Sequence, residues 1–216
     1  MRSGPVITAA AASYRNAARA LHPWLRLTRR HGSLIRVFTG DAPIEAQVHY
    51  PVGDLVDSHS GTQCYYHCHR GGGEHGHLHL FRRPSPEEPF IHLIAISLNP
   101  RGLPVAFFTV NRWVSTGQWL PAVDTLELFG GVSLHRSCCD RDLSLWLIHF
   151  LRFYRSLVGQ LLQQRDQRLQ AEAGSLNQHL EDRDLEILSF SAIDWMADLA
   201  ILEARQESVV QAEKGT

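Results

Sequence analysis

The sequence predicts an α+β fold in which an antiparallel β-sheet, a meander containing a His-rich hairpin, packs against N-terminal and C-terminal α-helices. Three observations carry that expectation. Between Cys64 and Val110 lie four apolar, β-prone runs whose connections are too short for parallel crossovers, which need about a dozen residues. The flanking segments show helical rather than alternating periodicity. Of the 216 residues, 44% are hydrophobic and 20% charged, which supplies a core and lies outside the composition of disordered chains.

Taken in order, an alanine-rich amphipathic helix is predicted over about residues 7–30, bent at Pro23, with the apolar run Pro5–Ala12 as its start rather than a signal peptide. A turn at Gly40–Pro43 precedes a short strand near Val48–Tyr50. The stretch Pro51–Thr62, rich in Gly, Pro, Asp and Ser, reads as loop, with Asp54 and Asp57 as turn residues in preference to ligands. Strands follow at Cys64–Arg70, Glu74–Phe81, Phe90–Leu98 and Leu103–Val110. A short helix is predicted at Pro121–Leu128, broken by Gly130-Gly131. A long helix capped by Asp140 or Asp142 should run to about Gln170, ended by Gly174. A last helix is expected near Ala192–Val210, with Ser191 and Asp194 placed for capping. Together these make one domain, 1–216: helical to residue 45, the sheet over 46–111, and mainly helical over 112–216.

Composition excludes several classes of function. Twenty-one basic against 22 acidic residues give a net charge of −1, which argues against a chain built to bind nucleic acid. Residues 143–162 are mostly apolar, but Arg152 and Arg155 sit at the centre. On a helical projection His149, Arg152, Arg155, Ser156, Gly159 and Gln160 share one arc, so this is an amphipathic helix and not a membrane span. Cys138 and Cys139 are adjacent, and Cys64 and Cys68 lie two pleats apart; neither spacing suggests a secreted disulfide framework, and a reducing cytoplasm is the expected setting.

The chemistry concentrates in one hairpin. Of 13 histidines, five fall within thirteen residues at odd positions: His67, His69, His75, His77 and His79. If Gly71-Gly72-Gly73 forms the turn, antiparallel partners sum to 144. His69 then faces His75, His67 faces His77, Tyr65 faces His79 and Arg70 faces Glu74, while Tyr66 meets Leu78 and Cys64 meets Leu80 on the other face. That register gathers the imidazoles. His67, His69, His75 and His77 form a compact quartet suited to a divalent transition metal, Zn or Fe foremost, because neutral imidazole favours such ions over Mg or Ca. His79 is the weaker ligand, and His49 and His92 are candidates from neighbouring strands. A metal-free face that charges near pH 6.5 and serves as an interaction module is the alternative from a different class.

Two further groups are candidate sites. Asn111 and Arg112, with Trp113 and Trp119 as an apolar wall, are placed to bind a small-molecule carboxylate or phosphate. His135, Cys138, Cys139 and Asp140 precede the long helix, where a thiol pKa can be lowered, so a reactive cysteine is a candidate there.

Three resemblances overlap these residues. Gly61, His67-Cys68-His69 and Glu74 resemble the first metal motif of cupins, which implies a β-barrel with Glu74 as a ligand; the motif's closing glycine is replaced by Phe81. His75-Gly76-His77-Leu78-His79 is similar to the histidine triad of nucleotide hydrolases and transferases, which implies His77 as the nucleophile on an α-phosphate, supported by His75 and His79. Over most of the chain, Tyr65-Tyr66-His67-Cys68-His69-Arg70, Glu74-His75-Gly76-His77-Leu78-His79 and Asn111-Arg112-Trp113 resemble an uncharacterised bacterial family with a His-rich hairpin. That likeness implies no activity.

Overall fold

The computed structural model describes residues 4–69, 71, 73–171 and 174–214. Helix α1 spans Gly4–His31, running through Pro23, and α2 spans Leu34–Thr39. The sheet strands are β1 (Tyr50–Asp57), β2 (Thr62–His67), β3 (Gly76–Arg82), β4 (Ile91–Leu98) and β5 (Pro104–Val110). Then come α3 (Arg112–Ser115), α4 (Ala122–Gly130), α5 (Arg141–Phe153), α6 (Arg155–Gln170) and α7 (Leu176–Leu180). Strand β6 (Ile187–Ala192) and α8 (Trp195–Lys214) complete the chain. The strands form a single antiparallel sheet in the order β1-β2-β3-β4-β5-β6. It is an open sheet with two edges, unlike the closed barrel that the cupin likeness implies.

Alternation divides the sheet. Cys64, Tyr66, Leu78, Leu80, Ile94, Ile96, Leu98 and Phe107 join the main core with residues of α1, α2, α4, α5, α6 and α8. Tyr65, His67, His77, His79, Ala95, Ser97 and Phe108 occupy the opposite face, as the paired registers require. Asp140 caps α5 by accepting from the Asp142 amide, 2.6 Å. Asp142 itself ties α5 to α1, accepting Arg26 Nη2 at 2.5 Å and Arg30 Nη1 at 2.9 Å. These arginines hold its carboxyl below the usual range.

Four departures from the sequence reading have identifiable physical causes. The predicted loop 51–62 is mostly β1: Gly53 and Asp54 take positive φ (82° and 58°) in a bulge, and an edge strand tolerates Pro51. The expected long helix is α5 and α6, separated at Tyr154, where φ −91° and ψ 10° interrupt helical geometry. Strand β6 lies within a region expected to be helical. It pairs with β5 from about eighty residues away, with Thr109 opposite Ser189 and their hydroxyls 2.7 Å apart. Only that distant partner makes Ile187–Ala192 a strand. The last helix begins later than expected, at Trp195, where Asp194 accepts from the Ala197 amide; Ser191 belongs to β6.

The hairpin register follows the sum of 144 from Thr62–Arg82 to His67–His77 and stops there. Arg70 and Gly72 lie outside the described residues. At Gly76 a β-carbon would stand 2.3 Å from the Tyr66 hydroxyl and 2.5 Å from the His67 carbonyl oxygen. The strand therefore begins with the one residue that lets β2 approach so closely. Gly76→Ala is expected to lower stability by about 1–3 kcal/mol through overpacking, measured by denaturant unfolding.

Candidate metal centre

Three ligand atoms of His67, His69 and His77 lie within 4.8 Å of one another. His67 comes from the end of β2 and His77 from β3, directly paired; His69 follows two residues beyond β2. Their ring centroids are 4.4 Å (67–77), 4.8 Å (67–69) and 5.0 Å (69–77) apart. Burial grades across the group: His77 is buried, His67 half-buried and His69 exposed, so the cluster opens to solvent on the His69 side. Beneath it, the small Ala95 and Ser97 stand opposite His79 and His77 on β4 and leave space for rings, while Phe108 packs edge-on to His77 at 5.2 Å.

Glu74 fixes the tautomer of His77. Its Oε1 lies 2.6 Å from His77 Nδ1, and its Oε2 accepts from Ser97 Oγ at 2.5 Å. An ionised carboxylate only accepts, so His77 carries its proton on Nδ1 and presents a bare Nε2 lone pair. That Nε2 sits 2.7 Å from His67 Nε2, which donates to it. A carboxylate holding one imidazole nitrogen while the other is left free to ligate is the arrangement that orients metal-bound histidines. Ligands about 2.0–2.1 Å from a tetrahedral ion are roughly 3.3–3.4 Å apart. To take an ion, the 67–77 pair would thus open by roughly 0.6 Å from its 2.7 Å separation and release to solvent the proton shared between its nitrogens.

The placement of Glu74 and His75 reverses the hairpin expectation. His75 turns to the core-side Tyr66, its Nδ1 2.5 Å from the phenolic oxygen, and stands apart from the quartet predicted for it. Desolvation raises the Tyr66 pKa, so the phenol keeps its proton. Glu74, expected to point away, joins the imidazoles. The cause is loss of alternation: pairing ends at His67–His77, and Glu74 and His77 share a face although three residues apart. The cupin likeness placed Glu74 on the correct side, as a partner of His77 where that likeness implied a direct ligand.

More imidazoles extend the cluster. His79 is buried, its Nδ1 2.9 Å from His92 Nε2, and its ring lies 4.9 Å from His67 and 4.8 Å from His77. His92 reaches this face because a register shift between Leu80 and Phe81 inserts an extra β4 residue, switching the parity. His49 stacks on Tyr65 at 3.6 Å, meets His67 edge-on at 5.6 Å, and is 3.2 Å from Asp54 Oδ1 through Nδ1. Burial, followed by the neighbouring imidazoles of His77, His69 and His49, pushes the His67 pKa down to about 3. Burial also lowers that of His79, and burial with the Arg165 charge lowers that of His92 to about 3. All three are therefore neutral at neutral pH, the form that ligates.

The histidine-triad likeness requires an accessible His77, yet His77 is 1% exposed and both ring nitrogens are engaged by protein groups. Asn111 is fully buried; it caps α3 through Oδ1 and donates from Nδ2 to the His179 carbonyl oxygen at 2.8 Å. Arg112 pairs with Glu181 at 2.8 Å, and the Trp113 indole donates to the Leu185 carbonyl oxygen. Asn111-Arg112-Trp113 thus clasps the segment leading into β6, and its buried amide is committed to the backbone instead of a ligand. The thiols before α5 also differ from expectation: desolvation pushes Cys139 up to about 12 and raises Cys138, outweighing any effect of the helix terminus. All four cysteines are free.

The sequence profile of one family, described as a domain of unknown function (DUF6969), matches residues 15–193, and the chain belongs to that family. No curated protein and no solved structure matches the chain significantly. Among the described residues no helix is long and apolar enough to cross a membrane.

The depressed histidine pKa values set a direction for acid sensitivity. In the unfolded chain these groups bind protons near pH 6.5, whereas folded His67 and His92 hold off until about pH 3. Protons therefore favour the unfolded state between those limits: this contribution is fully present above pH 6.5 and is lost as pH falls toward 3. In chelator-treated protein the melting temperature should fall from pH 7 to pH 4, and less steeply in His92→Gln; parallel curves for the two proteins would contradict this origin.

Proposed function

We propose that this member of the DUF6969 family binds one divalent transition metal ion through His67, His69 and His77, with Glu74 and Ser97 holding His77 in its ligating tautomer. The observation that carries the proposal is the Glu74–His77–His67 relay, in which a carboxylate fixes one imidazole and leaves its other nitrogen facing a second ring. Three neutral imidazoles suit Zn or Fe, as they do Ni and Cu. When bound at three protein ligands, such an ion keeps an open position at which it can polarise water or a small-molecule substrate. His69 is the exposed member of the trio, so that position would face solvent. The chain's contribution is to keep His67 neutral, orient His77 and close the inner side with Phe108, Tyr65 and Phe81.

Protein purified without a polyhistidine tag should contain close to one metal ion per chain by elemental analysis. His67→Ala and His77→Ala should abolish that content, and His69→Ala should lower it strongly. His75→Ala should retain it, because His75 belongs to the Tyr66 contact. Substoichiometric metal in the wild type, together with a melting temperature indifferent to chelation, would overturn the proposal.

The Glu74→Gln variant tests the relay separately. It should weaken metal affinity by roughly 10–100-fold, measured by competition with a chromophoric chelator, since the amide can present its donor to His77 Nδ1 and disturb the tautomer.

A further inference from the structure

A second feature stands away from the metal centre. A cavity of about 360 Å³ lies between the end of α4 and the α5–α6 junction, lined by Phe129, Gly130, Val132, Ile148, Leu151, Arg152 and Arg155. Its volume falls within the roughly 300–1,000 Å³ of ligand pockets, and its composition, an apolar floor with two cationic groups, matches their general character. Phe129, Val132 and Leu151 are buried residues of the main core, whereas both arginine side chains are exposed at the cavity.

The glycines at the end of α4 connect these facts. Neither Gly130 nor Gly131 takes a positive φ, so the backbone does not demand glycine at either position. What each provides is space for a guanidinium. A β-carbon on Gly131 would stand 1.9 Å from Arg82 Nη1, and one on Gly130 would stand 2.8 Å from Arg155 Nη1. Arg82 uses its position for structure, donating to the Leu128 and Ser60 carbonyl oxygens at 2.9 Å each. Arg155 has no hydrogen-bond or ion-pair partner among the described residues, and neither has Arg152, one turn earlier. The nearby His149 has its pKa lowered by burial and then by Arg152 and Arg19, so the surroundings are cationic. An apolar cavity flanked by two arginines with no protein acceptor among the described residues points to an acceptor supplied from outside.

We propose that this cavity binds a hydrophobic carboxylate, with its hydrocarbon part on Phe129, Val132, Ile148 and Leu151 and its anionic end paired with Arg155 and Arg152. Arg155 supplies a planar fork for the carboxylate. The test is calorimetric titration of the full chain with decanoate below its micellar concentration, and with decanol as the neutral match. One decanoate per chain is expected, with decanol at least tenfold weaker. Arg155→Gln should weaken decanoate binding roughly tenfold, as expected for loss of a charge-assisted bond, while leaving the melting temperature near that of the wild type. Gly130→Ala should act in the same direction by displacing the guanidinium while leaving Arg155 in the chain. The absence of saturable binding, equal affinity for decanoate and decanol, or wild-type affinity in both variants would each overturn the proposal.

Discussion

The pairing of His67 with His77 is the constraint on which the rest of the cluster depends. Antiparallel geometry places directly opposite side chains about 4.5–5.5 Å apart at the β-carbons, so one register brings the two rings within reach of each other. A slip of one residue would exchange this face with the one carrying Cys64, Tyr66, Leu78 and Leu80, burying imidazole in the main core. The hydrophobic requirement of one face thereby fixes the polar chemistry of the other. Gly76 completes the constraint, because any side chain there would collide with Tyr66 and the His67 backbone.

Burial gives those imidazoles their character. His67, His79 and His92 have depressed pKa values, set first by burial and then by neighbouring imidazoles, with Arg165 adding to the effect at His92. Clustering histidines this way costs stability in acid, but it supplies unprotonated nitrogen at neutral pH. Glu74 adds direction, since its charge is spent on one N–H of His77 and on Ser97. The Arg152–Arg155 cavity follows the opposite logic: charge is left exposed and unpaired beside an apolar floor. The first arrangement is suited to a cation and the second to an anion.

Much of this was legible in the residues. Short turns identified the four central strands, and the odd numbering of the histidines, combined with the glycine turn, gave the register as far as His77. His67, His69 and His77 follow from that register, and the resemblance to a family with a His-rich hairpin agrees with the membership found. Less visible were departures from alternation. Glu74 and His75 exchange faces where pairing stops, and His92 joins the cluster through a bulge that leaves no mark in local composition. Asn111-Arg112-Trp113 has the residue types of a binding motif, yet its partners are residues 179–185, far along the chain.

Sequence alone thus determined which stretches alternate, which are helical, and which two strands must carry opposed imidazoles, because those properties depend on neighbours within a few residues. Tertiary structure decided where alternation ends, that Ile187–Ala192 forms the sixth strand, and that a carboxylate three residues from His77 becomes its partner. Each of these depends on atoms brought together from separate segments, such as Tyr66 against His75, Ser97 against Glu74 and β5 against β6. Their energies arise only after the chain has folded, so no local pattern encodes them.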